Sequence, residues 1–506
     1  MTQNNAFSSG KTLGELLCTD AKLSVEKVFA QQFRLTCQDE APLRGFTQNH
    51  IGNWRIETGT DLPIALATFC SGAGQAAVLG LAVDSYGKVI TQRTLATNIS
   101  TMPSLDAVEA YLSSCAGRYA FVISLHDNQR LYLDPVGSLG ALYDPHSLTV
   151  ASTLNILLRR RVINNKQYPQ SAARFAFGHT KDQFVRRLLP NHYLDLNKLI
   201  GKRHWPKQND ILESSIESEK VIVSKITSRL QQVISALAEH SDSSYLAVSG
   251  GVDSRVLLAC SKPVLENITL FSHATNPMSR KDTRIARILA SKVNQELLVI
   301  DPKLNDPDRE IDDEWLAKAK QSLHIATAGH STTTIEHEVL STLPSGGIVL
   351  RGNVADFLKA VLWRRGVYEY IDNKQHETSL GLHMMMLGDH DVTSSDFMKE
   401  QYEGWYSDFV GGAQKRPYDL LFSEQFLSHG LGNVFYGFEN NFYICPFNDR
   451  SLLPATIGLS PSQRANFKYT DAIIESLAPE LLEVRYTRDD TNRRRLRRLR
   501  LEKRFS

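Results

Sequence analysis

After about residue 208, long amphipathic helices alternate with short, wholly apolar strands. A helix is predicted over 215–239 and another over 282–293, and apolar strands are predicted at 245–249, 268–274, 296–300 and 347–350. Strands that are apolar on both faces and separated by helices are typical of a parallel sheet covered by helices. This pattern constrains the fold most, because it predicts a doubly wound α/β domain over residues 208–484. The stretch from about 355 to 475 is predicted to be mostly helical.

The first 207 residues follow a different pattern. Apolar runs at 120–126, 130–134, 141–144 and 148–152 are separated by turn residues, which predicts antiparallel strands. The uncharged stretch Leu62–Val83 is long enough to cross a bilayer. Because Pro63 and a Gly-rich centre interrupt it, a buried β-hairpin is expected there and no membrane span. A basic helical turn is expected within 179–206, and the domain boundary is placed between Trp205 and Asp210.

Charge is distributed unevenly along the chain. The 57 Lys and Arg residues nearly balance the 55 Asp and Glu residues, which argues against nucleic acid as a partner of the whole surface. Residues 485–506, however, hold ten basic and three acidic residues, so the rest of the chain has 47 basic and 52 acidic ones. This basic tail is a candidate site for an acidic partner, with a solvated or self-docked helix as the alternative. Six widely spaced cysteines and the absence of a signal-peptide pattern favour a cytoplasmic protein.

The segment Tyr245–Arg255 carries the clearest chemical signal. It reads Tyr-Leu-Ala-Val-Ser-Gly-Gly-Val-Asp-Ser-Arg, an apolar strand that enters a Gly-Gly turn and then a helix. Several backbone N–H groups then converge at a helix N-terminus, where they bind anions such as phosphate. Glycine is needed because a Cβ atom would block close approach to the backbone. The alternative is an ordinary strand-to-helix turn, which also favours Gly, Ser and Asp.

The sequence Ser249–Ser254 resembles the pyrophosphate-binding loop of the ATP pyrophosphatase superfamily. Its flanks resemble the asparagine synthetase family, which includes β-lactam synthetases and lasso-peptide cyclases. Further similar segments, in the same order, lie at 117–152, 187–194, 350–357 and 446–450. The resemblance implies an N-terminal αββα glutaminase-like sandwich (1–207), a doubly wound, adenine nucleotide α-hydrolase-like synthetase domain with a helical C-terminal region (208–484), and the tail 485–506.

The resemblance also implies an ATP-dependent, AMP-forming amide ligase that adenylates a small-molecule or peptide carboxylate and transfers it to an amine or ammonia. The implied cofactors are ATP and Mg²⁺, with the metal at Asp253 and Asp356. The resemblance places Asp356, Lys468 and Asn353 at catalytic positions of the family, with an ordinary solvated lysine as the alternative for Lys468. The positions implied to bind the nucleotide are Ala247, Ser249, Gly250, Gly251, Asp253, Ser254, His273, Arg351 and Gly352. A homodimer is an open possibility.

Two departures from the family pattern bear on activity. Asn353 stands where the family has a glutamate that helps deprotonate the amine, and an amide cannot accept that proton. Glu369 is one candidate replacement, with a helix-surface carboxylate as the alternative. Glutamine-hydrolysing members of the family use a cysteine at the mature N-terminus, but Thr2 directly follows Met1 here and the nearest cysteine is Cys18. The first domain is therefore expected to lack glutaminase activity unless processing exposes Cys18. A catalytically silent nucleotide-binding or regulatory homologue is therefore the second hypothesis.

Overall fold

The computed structural model describes most of the chain, in the ranges 10–69, 72, 74–100, 102–166, 176–211, 216–301, 313–329, 343–363, 378–386, 395–438 and 440–487. Glu369 and nearly all of the predicted basic tail, residues 488–506, lie outside these ranges. The described residues form a mixed α/β protein with two antiparallel sheets and one parallel sheet.

The strands before residue 204 form two six-stranded antiparallel sheets. The first has the order β10-β8-β9-β1-β3-β2 and consists of β1 (Phe33–Thr36), β2 (Thr47–Ile51), β3 (Trp54–Thr58), β8 (Leu142–Asp144), β9 (Thr149–Ala151) and β10 (Arg186–Arg187). The second has the order β12-β11-β7-β6-β5-β4 and consists of β4 (Ile64–Thr68), β5 (Gly74–Val83), β6 (Ala116–Leu125), β7 (Asn128–Leu133), β11 (His192–Asp195) and β12 (Ile200–Arg203). The hairpin predicted within Leu62–Val83 is confirmed as β4 and β5. The helical turn predicted within 179–206 is wrong, because short strands occupy that range.

The two sheets pack face to face, and helices cover the outer face of each, which gives four layers. Leu79 and Val122 point into the core between the sheets, whereas their neighbours Val78 and Phe121 pack under helices on the outer face. This alternation follows from the two-residue repeat of a strand. The outer helices are α1 (Leu13–Ala21), α2 (Val25–Val28) and α5 (Leu154–Leu157) on one side, and α3 (Gln92–Ile99) and α4 (Leu105–Leu112) on the other.

The predicted parallel sheet is confirmed in the second part of the chain. It has five strands in the order β15-β14-β13-β16-β17, all parallel. They are β13 (Ser244–Ala247), β14 (Ile268–His273), β15 (Leu297–Ile300), β16 (Ile348–Leu350) and β17 (Phe442–Ile444). The chain builds outward from β13 through β14 and β15 and then crosses to β16 on the opposite side. The point where the order reverses therefore lies between β13 and β16. The sequence did not predict β17, because its three residues lie in a largely helical stretch.

Helices connect these strands and follow them. They are α6 (Ile216–His240), α7 (Val252–Ser261), α8 (Pro277–Lys292), α9 (Asp313–Ala326), α10 (Thr378–Met386), α11 (Asp396–Ser407), α12 (Pro417–Leu421), α13 (Ser428–Val434), α14 (Leu453–Gly458), α15 (Pro461–Ala465) and α16 (Lys468–Leu477). Helix α8 begins five residues earlier than predicted. Asn276 caps it through the N–H groups of Met278 and Ser279, and Pro277 supplies its first residue.

The segment after β17 joins the antiparallel sheets to the parallel one. Asn448 Nδ2 donates to Gly117 O at 2.6 Å and to Asp134 Oδ1 at 2.7 Å. Asp449 accepts from Arg229 Nε of α6 at 2.6 Å. All four polar side chains of this junction are buried or nearly so. The segment 446–450 thus carries contacts between the two parts of the chain. Among the described residues, no helix has both the length and the apolar character that crossing a membrane requires.

Candidate functional site

The loop Ser249–Ser254 lies beside the point where the order of the parallel sheet reverses. It follows β13 and leads into α7, and the neighbouring strand β16 ends at Leu350 and continues into the 3-10 turn Asn353–Lys359. In open parallel sheets, ligands bind in the crevice formed by the two loops at this reversal. The strongest sequence motif therefore lies at the position where this sheet topology favours a ligand.

The loop is held by hydrogen bonds between its own residues. The hydroxyl oxygens of Ser249 and Ser254 lie 3.0 Å apart, and Ser254 Oγ also accepts from Ser249 N–H at 3.1 Å. Gly251 N–H donates to Ser249 Oγ at 3.2 Å. The hydroxyl groups of Ser249 and Ser254 thus shape the turn through hydrogen bonds within the loop. Gly251 is the N-cap of α7, and no side-chain hydrogen bond caps this helix, so its first N–H groups suit a bound anion.

Gly352 brings the loop that follows β16 against this turn. A Cβ atom on Gly352 would lie 2.9 Å from Asp253 Cβ, 3.1 Å from Asp253 C and 3.3 Å from Ser254 N. Most of these neighbours are backbone atoms of the first turn of α7. The close approach requires a residue without a side chain, which explains why position 352 is glycine.

A buried lysine joins the two predicted acidic residues. Lys359 Nζ lies 2.5 Å from Asp253 Oδ2 and 2.5 Å from Asp356 Oδ1. Burial alone would lower the pKa of Lys359, but the two carboxylates outweigh it, and the pKa is raised above its usual value. The structure thus brings Asp253 and Asp356 close together around Lys359. It adds a positive charge between them that sequence reasoning missed, because no motif marks Lys359.

A second buried ion pair fixes the turn that carries Asp356 and Lys359. Arg464 of α15 donates to both carboxylate oxygens of Asp419 at 2.8 Å and to Phe357 O at 2.8 Å. Trp363 Nε1 donates to the same carboxylate at 3.0 Å. Arg464 and Asp419 are almost completely inaccessible to solvent. The side chain of Phe357 is itself buried against Phe422.

Residues 481–487 and helix α8 also contact this loop and its helix. Gly250 N–H donates to Asp282 Oδ1 at 3.0 Å, and Thr487 Oγ1 donates to the same oxygen. Thr487 N–H donates to Gly250 O at 3.1 Å. Arg255 of α7 fixes this segment through the carbonyl oxygens of Leu481, Val484 and Arg485 at 2.7–3.1 Å. The carboxylate of Asp282 therefore already accepts a hydrogen bond from one N–H group of the glycine turn.

If the loop binds ATP, as the resemblance implies, replacing Asp282 with asparagine is expected to increase the affinity for ATP about tenfold, or about 1.4 kcal/mol. The amide still accepts from Gly250 N–H, but it removes a negative charge that would repel a phosphate at the same turn. Titration calorimetry with ATP measures the change. Asp242→Asn, at the exposed opposite edge of the sheet, is the matched control and should leave the affinity unchanged. An unchanged or lower affinity in Asp282→Asn would show that phosphate does not bind near Gly250.

The remaining predicted residues lie in two places: three at the ends of strands, and two in the 3-10 turn after β16 and in α16. Ala247 ends β13, His273 ends β14, and Arg351 follows β16 with its guanidinium 6.0 Å from the ring centroid of Tyr443. All three lie at the same edge of the sheet as the loop. Asn353 begins the 3-10 turn. Lys468 begins α16, which packs against that turn, but its Nζ lies 2.6 Å from Glu219 Oε2 of α6.

The predicted magnesium ligands do not fit a resident ion in this arrangement. Mg²⁺ requires oxygen ligands at about 2.0–2.1 Å in octahedral geometry, whereas the ammonium group of Lys359 lies in contact with both carboxylates. In the described part of the chain, no group of three or more His, Cys, Asp or Glu side chains could hold a metal ion.

Cys18, the candidate nucleophile after processing, is buried within α1.

No protein-family model matches this chain, and the comparison with curated proteins finds no significant match.

Proposed function

We propose that this chain binds ATP at Ser249–Ser254 and is an AMP-forming amide ligase similar to asparagine synthetase. The single observation that carries the proposal is the convergence of two loops at the reversal point of the parallel sheet. One loop supplies the start of α7, and the other supplies Gly352 and the Asp356–Lys359 turn. The four-layered N-terminal part also agrees with a glutaminase-like sandwich, as the resemblance implies.

In this proposal, the polyphosphate lies at the N-terminus of α7. The first N–H groups of the helix and the ammonium group of Lys359 face the β- and γ-phosphates and stabilise the negative charge that develops on pyrophosphate as it leaves. The adenosine extends along the strand ends, near Ala247, His273 and Arg351. The protein thereby contributes mainly position and charge.

The reaction has two steps. A carboxylate oxygen of the substrate attacks the α-phosphorus, the bond from that phosphorus to the bridging oxygen breaks, and pyrophosphate leaves. The nitrogen of an amine or of ammonia then attacks the acyl carbon, AMP leaves, and the nitrogen loses a proton. Asn353 cannot accept this proton, so the base is another residue or the leaving phosphate. Lys468 belongs to the proposal only if it exchanges its contact with Glu219 for the adenylate.

The second candidate is a nucleotide-binding homologue without turnover. Two observations favour it: the amide at Asn353 and the carboxylate of Asp282, which already accepts from Gly250 N–H. The ligase and the silent homologue differ in one measurable property. Both bind ATP, but only the ligase releases AMP and pyrophosphate when a carboxylate and an amine are supplied.

The test is to incubate the protein with ATP and a metabolite extract and to measure AMP by mass spectrometry and pyrophosphate by a coupled assay. We expect release with the wild type and a loss of at least 100-fold in Asp253→Ala, because the substitution removes the carboxylate that links Lys359 to the first turn of α7. Asp396→Ala, which removes an exposed carboxylate that also pairs with a lysine, is the control. ATP binding without release of AMP and pyrophosphate would exclude ligase activity. Wild-type levels of release by Asp253→Ala would show that the loop Ser249–Ser254 takes no part in the reaction.

A further inference from the structure

Lys359 has the position that a divalent cation would take between two carboxylates. Asp253 comes from the first turn of α7, and Asp356 comes from the 3-10 turn after β16. The two acids belong to separate elements, and the same ammonium group contacts both at 2.5 Å. The lysine therefore links the two loops of the site, which is the structural role of a bridging ion.

The backbone around Lys359 fixes it in this position. Its side chain is only 11% exposed, whereas lysines on protein surfaces are usually solvated. Ala360 directly after it has φ 46° and ends the turn in a left-handed conformation. Arg464 holds Phe357 O from the other side, and Gly352 sets the turn against Asp253. The ammonium group is thus part of a rigid site.

The local charge also disfavours an added metal. The ammonium group reduces the net charge of the two carboxylates from minus two to minus one, and it repels a second cation placed between the same oxygens. A metal could bind there only if Lys359 moved away from both acids. This would leave a mostly buried ammonium group without its counter-charges, which is costly.

We propose that Lys359 replaces a protein-bound divalent cation at this site, so that Asp253 and Asp356 bind no metal and nucleoside polyphosphates bind without one. The second part of this inference rests on the proposed ATP binding. The first part concerns the free protein and stands independently of it. The ligand class is a nucleoside polyphosphate whose terminal phosphates contact the ammonium group and the start of α7.

The first arm of the test measures Mn²⁺ binding to the free protein by electron paramagnetic resonance and by the thermal shift. The wild type should bind Mn²⁺ at least tenfold more weakly than Lys359→Met, because the substitution leaves two facing carboxylates, and only this variant should be stabilised by the ion. The double variant Lys359→Met with Asp356→Asn should lose this increase in Mn²⁺ affinity. Lys399→Met, which breaks an exposed pair with Asp396 at the same sequence spacing, should behave as the wild type.

The second arm measures ATP binding by calorimetry in Mg²⁺ and in EDTA. The wild-type affinity should change by less than about threefold, and that of Lys359→Met should become at least tenfold weaker in EDTA than in Mg²⁺. Wild-type Mn²⁺ binding that Asp356→Asn abolishes, or wild-type ATP binding that EDTA abolishes, would overturn the inference. If Lys359→Met does not fold, the wild-type and Asp356→Asn titrations still decide it. If ATP never binds, the proposed function fails while the Mn²⁺ arm still decides the role of Lys359.

Discussion

Replacing Gly352 with valine is expected to reduce ATP affinity at least 100-fold, or about 3 kcal/mol, without unfolding the protein. The new Cβ would lie 2.9 Å from Asp253 Cβ and within 3.3 Å of backbone atoms of Asp253 and Ser254. Backbone atoms in a helix cannot yield as the end of a flexible side chain can, so the start of α7 must move away from β16. Titration calorimetry with ATP measures the effect, and circular dichroism checks the fold.

Gly404→Ala is the matched control for Gly352→Val. Gly404 lies exposed within α11, and a Cβ there would meet nothing within 4 Å. This substitution should leave ATP affinity unchanged and slightly stabilise the helix. If Gly352→Val binds ATP as well as the wild type does, the nucleotide does not use the junction of the two loops, and the proposed site is wrong.

Replacing Arg464 with alanine is expected to lower the free energy of unfolding by about 3–5 kcal/mol. The substitution leaves the carboxylate of Asp419 buried without its bidentate partner and removes the donor to Phe357 O. Urea unfolding followed by tryptophan fluorescence measures the loss. Since Arg464 supports the turn of Asp356 and Lys359, ATP affinity should also fall in the fraction that remains folded.

Arg44→Ala is the control for this second variant. Arg44 is 81% exposed and lies 3.7 Å from Glu26, and exposed ion pairs of this kind contribute about 0–1 kcal/mol. A loss below about 1 kcal/mol in Arg464→Ala would mean that the buried pair does not hold the turn.

Local patterns were sufficient to predict the parallel sheet and the loop. The apolar strands at β13, β14, β15 and β16 and the Gly-Gly turn are each visible within a dozen residues, because burial on both faces and the turn leave direct traces in the sequence. The early start of α8 also had a local signal, since Asn276 and Pro277 form a typical helix start. That signal was missed because the apolar periodicity begins later.

The rest of the site depends on contacts between distant residues. Lys359 meets Asp253 across 106 positions, and Arg464 meets Asp419 across 45. Neither spacing has a pattern that a single sequence reveals, because the sheet topology decides which turns become neighbours. The same holds for Thr487 at Gly250 and for β17, whose three residues pair with β16 across a long intervening stretch of the chain.

The most direct test of the polyphosphate site is a competition titration with a fluorescent ATP analogue. We predict one saturable site per chain in the wild type, displaced by ATP and by inorganic pyrophosphate and lost in Gly352→Val. The contradicting result is the absence of saturable binding in the wild type, or binding that neither pyrophosphate nor the Gly352 substitution changes.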